Sequence, residues 1–194
     1  MSRRDIDYLV DGRPAASIAV ADRGLAYGDG LFETIAVVDG QPRLLPAHLQ
    51  RLQRGCQRLG LPPSDQDEWQ SDLDQIDLPC YGVLRLSVTR GVGGAPPTSP
   101  RCTRIARILP APRRPSEWWR DGIDVRWCDT RLAIQPALAG IKHLNRLEQV
   151  LARAEWQDST IAEGLMRSTR EEVIEATSCN IIVDAGDRLL IPDT

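Results

Sequence analysis

Lysine is nearly absent from this 194-residue sequence: of its 24 basic side chains, only Lys142 is not an arginine. Long apolar runs are absent too. No stretch approaches the roughly 18 residues of a membrane-spanning helix, and Met1-Ser2-Arg3-Arg4-Asp5 is followed by no signal-like apolar segment. Cysteine is sparse and unpaired in pattern: Cys56, Cys80, Cys102, Cys128 and Cys179 are odd in number, widely spaced and without a Cys-x-x-Cys motif. That excludes a disulfide framework and a structural zinc site and points to a reducing compartment. Charge of one sign is lacking as well, with 24 basic against 27 acidic residues and a net charge of -3. Nucleic acid and membrane surfaces are therefore not expected partners. With 42% hydrophobic and 26% charged residues, the composition is that of an ordinary globular protein, expected in the cytoplasm and without a metal.

The first third reads as hairpins. Tyr8-Leu9-Val10 runs into Asp11-Gly12, a favoured two-residue turn, and Ala16 to Val20 is expected to return as a strand. Leu31 to Val38 repeats the device through Asp39-Gly40. From Pro46 the period changes: Leu45, Leu49, Leu52, Cys56 and Leu59 form one helical stripe, ended by Gly60 and Pro62-Pro63. A second, weaker helix is expected over Ser64 to Ile76, with Ser64 as its cap. Gly82 to Arg90 is β-like, with Leu84, Leu86 and Val88 on one face, and Arg104 to Leu109 continues it after the loop Gly91 to Pro100. Pro110-Ala111-Pro112-Arg113-Arg114-Pro115 reads as a stiff linker. Beyond it, Ile123 to Cys128 is strand-like. Asn145-Arg146-Leu147-Glu148 resembles a capping box opening a helix with Leu147, Val150, Leu151 and Ala154 on its apolar side. Gly164 to Ile182 reads as two strands, and Ala185-Gly186-Asp187 turns the chain into Arg188 to Ile191. The expectation is an α+β chain of two small domains: 1–109, a linker at 110–122, and 123–194.

Three segments carry residues that suggest chemistry. Asp22 to Thr34 packs three glycines and four charges into a short stretch, which permits close backbone approach or simply makes a tight loop. In Gly140-Ile141-Lys142-His143-Leu144-Asn145, the single lysine precedes an expected helix N-terminus. The helix dipole there disfavours a cation and would lower the amine's pKa, as suits a Schiff-base lysine, unless the residue is merely a solvated loop lysine. Glu175-Ala176-Thr177-Ser178-Cys179-Asn180 places an acid in an apolar strand, followed by small polar residues.

Together and in this order, these segments resemble a known family. The run Gly140-Ile141-Lys142-His143-Leu144-Asn145-Arg146-Leu147-Glu148-Gln149-Val150 is similar to the active-site lysine segment of 4-amino-4-deoxychorismate lyases. Those enzymes belong to the fold-type IV pyridoxal-phosphate proteins, with branched-chain and D-amino-acid aminotransferases as relatives. The loop Asp22 to Thr34, the segment His48-Leu49-Gln50-Arg51-Leu52 and the run Glu175 to Asn180 resemble the same family. The likeness extends from about Tyr8 to the last residue. Arg146 is the lyase-like feature, since the aminotransferases tend to carry tyrosine there.

The resemblance implies pyridoxal 5'-phosphate as cofactor, linked to Lys142. It implies Glu175 at the pyridine nitrogen, Arg51 at the phosphate, Asn145, Arg146 and Asn180 lining the cofactor, and Thr34 on the substrate side. Lys142, once displaced by the substrate amine, would remove the C4 proton, and the enolpyruvyl group would leave as pyruvate, protonated by water or through Thr34. The product would be 4-aminobenzoate, a folate precursor, and the small molecule 4-amino-4-deoxychorismate the substrate of an expected homodimer. After Thr89-Arg90-Gly91 the pattern departs from the family, whose Gly-rich Arg-Gly-Tyr stretch is missing. Arg90 stays a candidate for a substrate carboxylate, or a surface charge at a strand end. His48 and His143 read as packing or hydrogen-bonding residues, and the cysteines as small buried hydrophobes. Trp118-Trp119 suits either a domain or subunit contact or the core. Two other functions stand beside the lyase: an aminotransferase on the same fold, and a chain that only binds or dimerises. The last rests on Leu189 to Thr194, which reads as a strand end where relatives continue into a Gly-rich phosphate-binding turn; the expectation is an incomplete second domain with weak cofactor binding.

Overall fold

Residues 30–38 alternate so that Leu31, Glu33, Ile35 and Val37 share one face of a strand and Phe32, Thr34 and Ala36 the other. A computed structural model, which describes residues 8–62, 65–94 and 101–192, builds its first unit around that strand. The elements are β1 (Tyr8–Val10), β2 (Arg13–Pro14), α1 (Arg23–Tyr27), β3 (Gly30–Val38), β4 (Gln41–Pro42), α2 (Leu45–Leu59), α3 (Gln66–Leu73), β5 (Tyr81–Thr89) and β6 (Thr103–Pro110). They form a six-stranded antiparallel sheet in the order β2-β1-β6-β5-β3-β4. One sheet face, with Leu31, Ile35, Leu84, Leu86 and Val88, packs against Leu49, Leu52 and Cys56 of α2 and against Trp69 and Leu73 of α3. Each leucine so buried contributes roughly 1.5–3 kcal/mol.

The leucine stripe makes α2 because it repeats at steps of three and four residues, and Pro46 suits the first turn, where no N–H partner is lost. Gly60 ends the helix in the left-handed region at φ 59°, its N–H reaching the carbonyls of Cys56 and Gln57. Helix α3 is capped by Asp65, with Glu68 closing the reciprocal bond of a capping box; Ser64, the cap expected from the sequence, lies outside the described residues, as does Pro63. The helix stops at Leu73, short of Ile76, which is nonetheless buried in the core. Ala16 to Val20 is not a strand. Of the returning segment only Arg13 and Pro14 pair with β1, and Val20 lies exposed outside the sheet.

The second unit holds α4 (Glu117–Asp121), β7 (Asp124–Leu132), α5 (Leu147–Arg153), β8 (Ile161–Ser168), β9 (Val173–Ala176), β10 (Val183–Asp184) and β11 (Leu189–Leu190). Strand β8 is central, parallel to β7 and antiparallel to β9, while β10 and β11 form a separate hairpin. Its core is small: Cys128, Leu132, Ala152, Trp156 and Met166. Gly164 is required there, because a Cβ would lie 2.5 Å from Cys128 Sγ and 2.7 Å from the Trp156 ring.

Four expectations are corrected here. The expected linker 110–122 contains α4, and the first unit runs through Arg113. Residues 141–145 group with the first unit rather than with 123–194, because their backbone pairs with β3. The capping box at the start of α5 does not form: Arg146 is the N-cap residue and its side chain makes no capping bond, and Glu148 instead accepts the Ala133 N–H. The buried side of α5 is Gln149 and Ala152, while Leu147, Val150 and Leu151 are exposed. A small side chain at 152 lets the helix approach the sheet, and that contact sets its rotation.

Candidate active site

Lys142 is held by strand β3. The Phe32 N–H donates to the Lys142 carbonyl at 2.9 Å, and the Leu144 N–H donates to the Gly30 carbonyl at 2.9 Å. Segment 142–144 is thus a short addition to the edge of β3, with a bridge between His143 and Leu31. The Lys142 ammonium lies 4.6 Å from the centroid of the Phe32 ring, which the Arg85 guanidinium also approaches at 4.0 Å. The electron-rich ring face attracts both cations. Helix α5 begins at Leu147, five residues beyond Lys142. Thr34, two residues along β3 from Phe32, is exposed on the same face and lies directly across from Arg85.

On the opposite face of β3 lies a residue with no sequence signal of its own. Glu33 is fully buried in a row of apolar side chains, and two residues of α2 meet it. Arg51 donates Nε to Glu33 Oε1 at 2.7 Å and Nη2 to Oε2 at 2.5 Å, and His48 Nδ1 contacts Oε2 at 2.7 Å. His48 and Arg51 are three apart and so share a helix face. The Glu33 carboxylate raises the Arg51 guanidinium above its already high ordinary value. Only the alternation of β3 could have flagged this residue, as an acid at an inward position.

The glycine-rich loop is a helix with a rigid frame. Asp22 caps α1 through the Gly24 N–H and accepts the hydroxyls of Thr89 and Thr103, each at 2.8 Å. Gly28 ends α1 at φ 64°; a Cβ there would strike Asn145, whose Nδ2 donates to the Gly28 carbonyl. Asp29 accepts from Arg23 and Arg90; burial raises its carboxyl, but these two arginines outweigh that and hold it below the usual range. Arg90 spends its other nitrogens on the carbonyls of Gly60 and Leu59, at 2.8 and 2.9 Å. It ties down the C-terminus of α2. The loop residues 95–100 that follow lie outside the described residues.

In the second unit, Glu175 on β9 accepts Arg146 Nη2 at 2.9 Å and Gln149 Nε2 at 2.7 Å, both on Oε1. Glu163 on β8, unmarked in the sequence, is buried and accepts the Thr177 and Ser178 hydroxyls and the Gly164 N–H. It thereby shapes the turn that leads to Asn180, which is exposed. Cys56 and Cys102 are poor nucleophiles: burial pushes Cys56 to about 11 and Cys102 to about 12, far from thiolate at neutral pH. Cys80 is exposed and Cys102 and Cys179 half-buried, against the expectation that all five are buried, and Trp118 and Trp119 are exposed rather than in the core.

The donor set suits pyridoxal phosphate in kind. The amine comes from the chain's single lysine. Arg51 Nη1 and Glu175 Oε2 have no hydrogen-bond partner among the described residues, although the rest of each group is engaged. Such half-engaged groups are oriented yet still able to bind.

Comparison with known proteins agrees. An aminodeoxychorismate lyase of Vibrio harveyi is 31% identical over 192 residues, covering 95% of this chain and 70% of its own. The crystal structure of 4-amino-4-deoxychorismate lyase from Pseudomonas aeruginosa is 50% identical with a TM-score of 0.89, over 96% of this chain and 70% of that one. A protein described as a hypothetical aminotransferase from Mycobacterium tuberculosis, in its PLP-bound form, shares the fold at a TM-score of 0.75 and 24% identity, over 95% of this chain and 70% of that one. A family model described as amino-transferase class IV matches residues 30–194. This α+β chain therefore belongs to the class IV aminotransferase family, the fold-type IV group in which the aminodeoxychorismate lyases fall.

Proposed function

We propose that this chain is a pyridoxal-phosphate-dependent carbon–oxygen lyase that converts 4-amino-4-deoxychorismate to 4-aminobenzoate and pyruvate. The observation that carries the reading is Lys142: it is the single lysine, seated on β3 against Phe32, in a segment similar to that of the lyases. The half identity to the Pseudomonas aeruginosa enzyme supports the same choice.

When bound, the cofactor supplies an electron sink for the charge left on carbon after proton removal. Lys142 anchors it and then takes the C4 proton of the substrate. Glu175, steadied by Arg146 and Gln149, keeps the pyridine nitrogen protonated. Arg51 binds the phosphate, and Asn145, Arg146 and Asn180 line the cofactor. The departing enolpyruvyl group takes its proton from water, directly or relayed through the Thr34 hydroxyl; aromatisation of the ring drives the step. The working form is a homodimer.

An aminotransferase is the second reading, favoured by the family description itself. Incubation with 4-amino-4-deoxychorismate discriminates: the lyase releases pyruvate and 4-aminobenzoate in equal amounts without a keto acid. Amino-group transfer from a D- or branched-chain amino acid to a keto acid, with no pyruvate from the chorismate derivative, would establish the other reading.

A further inference from the structure

Glu33 is a buried carboxylate that the proposed reaction does not use. Its neighbours on the same strand face, Leu31, Ile35 and Val37, are apolar and at most 1% exposed, and Glu33 itself is 0% exposed. Burying a carboxylate is costly unless it is paired and hydrogen-bonded, and an apolar residue would fill this position without that cost. Its whole hydrogen-bonding capacity toward α2 goes to Arg51 and His48.

The way Arg51 is gripped matters more than the pairing itself. A guanidinium is planar, so fixing Nε and Nη2 to the two carboxylate oxygens fixes the plane and the direction of the remaining nitrogen. Nη1 has no partner among the described residues, and the Arg51 side chain is 45% exposed while Glu33 is 1%. One edge of the fork is locked inward and the other is presented outward. An arginine without such an anchor would sample many rotamers and lose that freedom on binding an anion. Glu33 also lies in β3 between Phe32, which holds Lys142, and Thr34. One strand therefore orients both groups that would grip the cofactor.

We infer that Glu33 is a positioning residue: it aims the Arg51 guanidinium at the cofactor phosphate. This rests on the reading of Arg51 as the phosphate arginine, and the experiment separates the two. Apo-protein is titrated with pyridoxal 5'-phosphate and, separately, with pyridoxal, which lacks the phosphate, following the absorbance of the cofactor–lysine linkage. Glu33→Gln, Arg51→Gln and the double variant are compared with the parent, with thermal melting as the check on folding. Losing charge-assisted bonds at one group is expected to weaken phosphate-bearing cofactor about tenfold or more. Pyridoxal binding should stay unchanged, and the double variant should be no weaker than Arg51→Gln alone. Equal weakening of both ligands by Glu33→Gln, or of neither, would overturn the positioning role. So would a further loss in the double variant. If Glu33→Gln does not fold, Glu33→Asp, which keeps the charge but draws the fork back, must show the same phosphate-selective loss. If Arg51→Gln leaves phosphate-bearing cofactor unaffected, the phosphate reading itself falls, and this inference with it. A loss with Arg51→Gln but none with Glu33→Gln overturns only the inference.

Discussion

Phe32 holds Lys142 at both ends: its N–H donates to the lysine carbonyl at 2.9 Å, and its ring lies 4.6 Å from the ammonium. A residue fixed by backbone and by side chain has little freedom to lose when it forms a covalent linkage. The sole phenylalanine of the chain is thus paired with its sole lysine.

Borohydride reduction of the cofactor-loaded protein should label the peptide containing Lys142 and no other. Lys142→Ala should show no reducible label and no lyase turnover. A label at the N-terminal amine alone, found by mass mapping, would remove Lys142 from the reaction.

Glu175→Gln keeps the shape of the side chain and removes its charge. Cofactor should still load, while turnover at saturating substrate should drop on the order of 10²-fold, as for the loss of one electrostatic stabiliser. Unchanged kcat would show that the pyridine nitrogen needs no anionic partner.

Arg90→Ala should act on stability rather than on substrate affinity. Its side chain is 14% exposed and bonds Asp29 and the last carbonyls of α2, so truncation should cost about 1–3 kcal/mol. Melting or denaturant curves measure that cost. A large rise in KM with no loss of stability would restore the carboxylate-binding role.

Glu163 should shape the acid limb of stability. Burial raises its carboxyl, but the Ser178 and Thr177 hydroxyls and the Gly164 N–H outweigh burial and hold it below its usual 4.5. A carboxyl lowered in the folded state stabilises above its unfolded pKa, and that stabilisation is lost as pH falls through the folded one. The parent should therefore lose melting temperature more steeply than Glu163→Gln between about pH 5 and pH 3. Parallel curves for the two proteins would show that Glu163 contributes nothing to the acid transition.

Local periodicity made much of the fold legible. The stripe of α2, the alternation of β3 and β5 and the Asp-Gly turns depend on residues within a few positions of one another, and each stands in the structure at or near its expected limits. The lysine segment was legible for another reason: a dense motif around a single lysine leaves little choice. The same local logic misled at Asn145 and Glu148. Their spacing suits a capping box, but Asn145 bonds the carbonyl of Gly28 and Glu148 the N–H of Ala133.

Alone, then, the sequence determined most of the elements and the family resemblance, and showed that the chain carries a single lysine. Tertiary structure decided what each charged group is for. Glu33 meets Arg51 only because β3 lies under α2, and Arg90 reaches the end of α2 only because β5 is paired beside β3. Segment 141–145 joins the first unit only because its backbone finds the open hydrogen-bonding edge of β3. A planar fork or a carboxylate carries no mark of its partner in the chain order; proximity in space and the cost of leaving a buried charge unpaired select it.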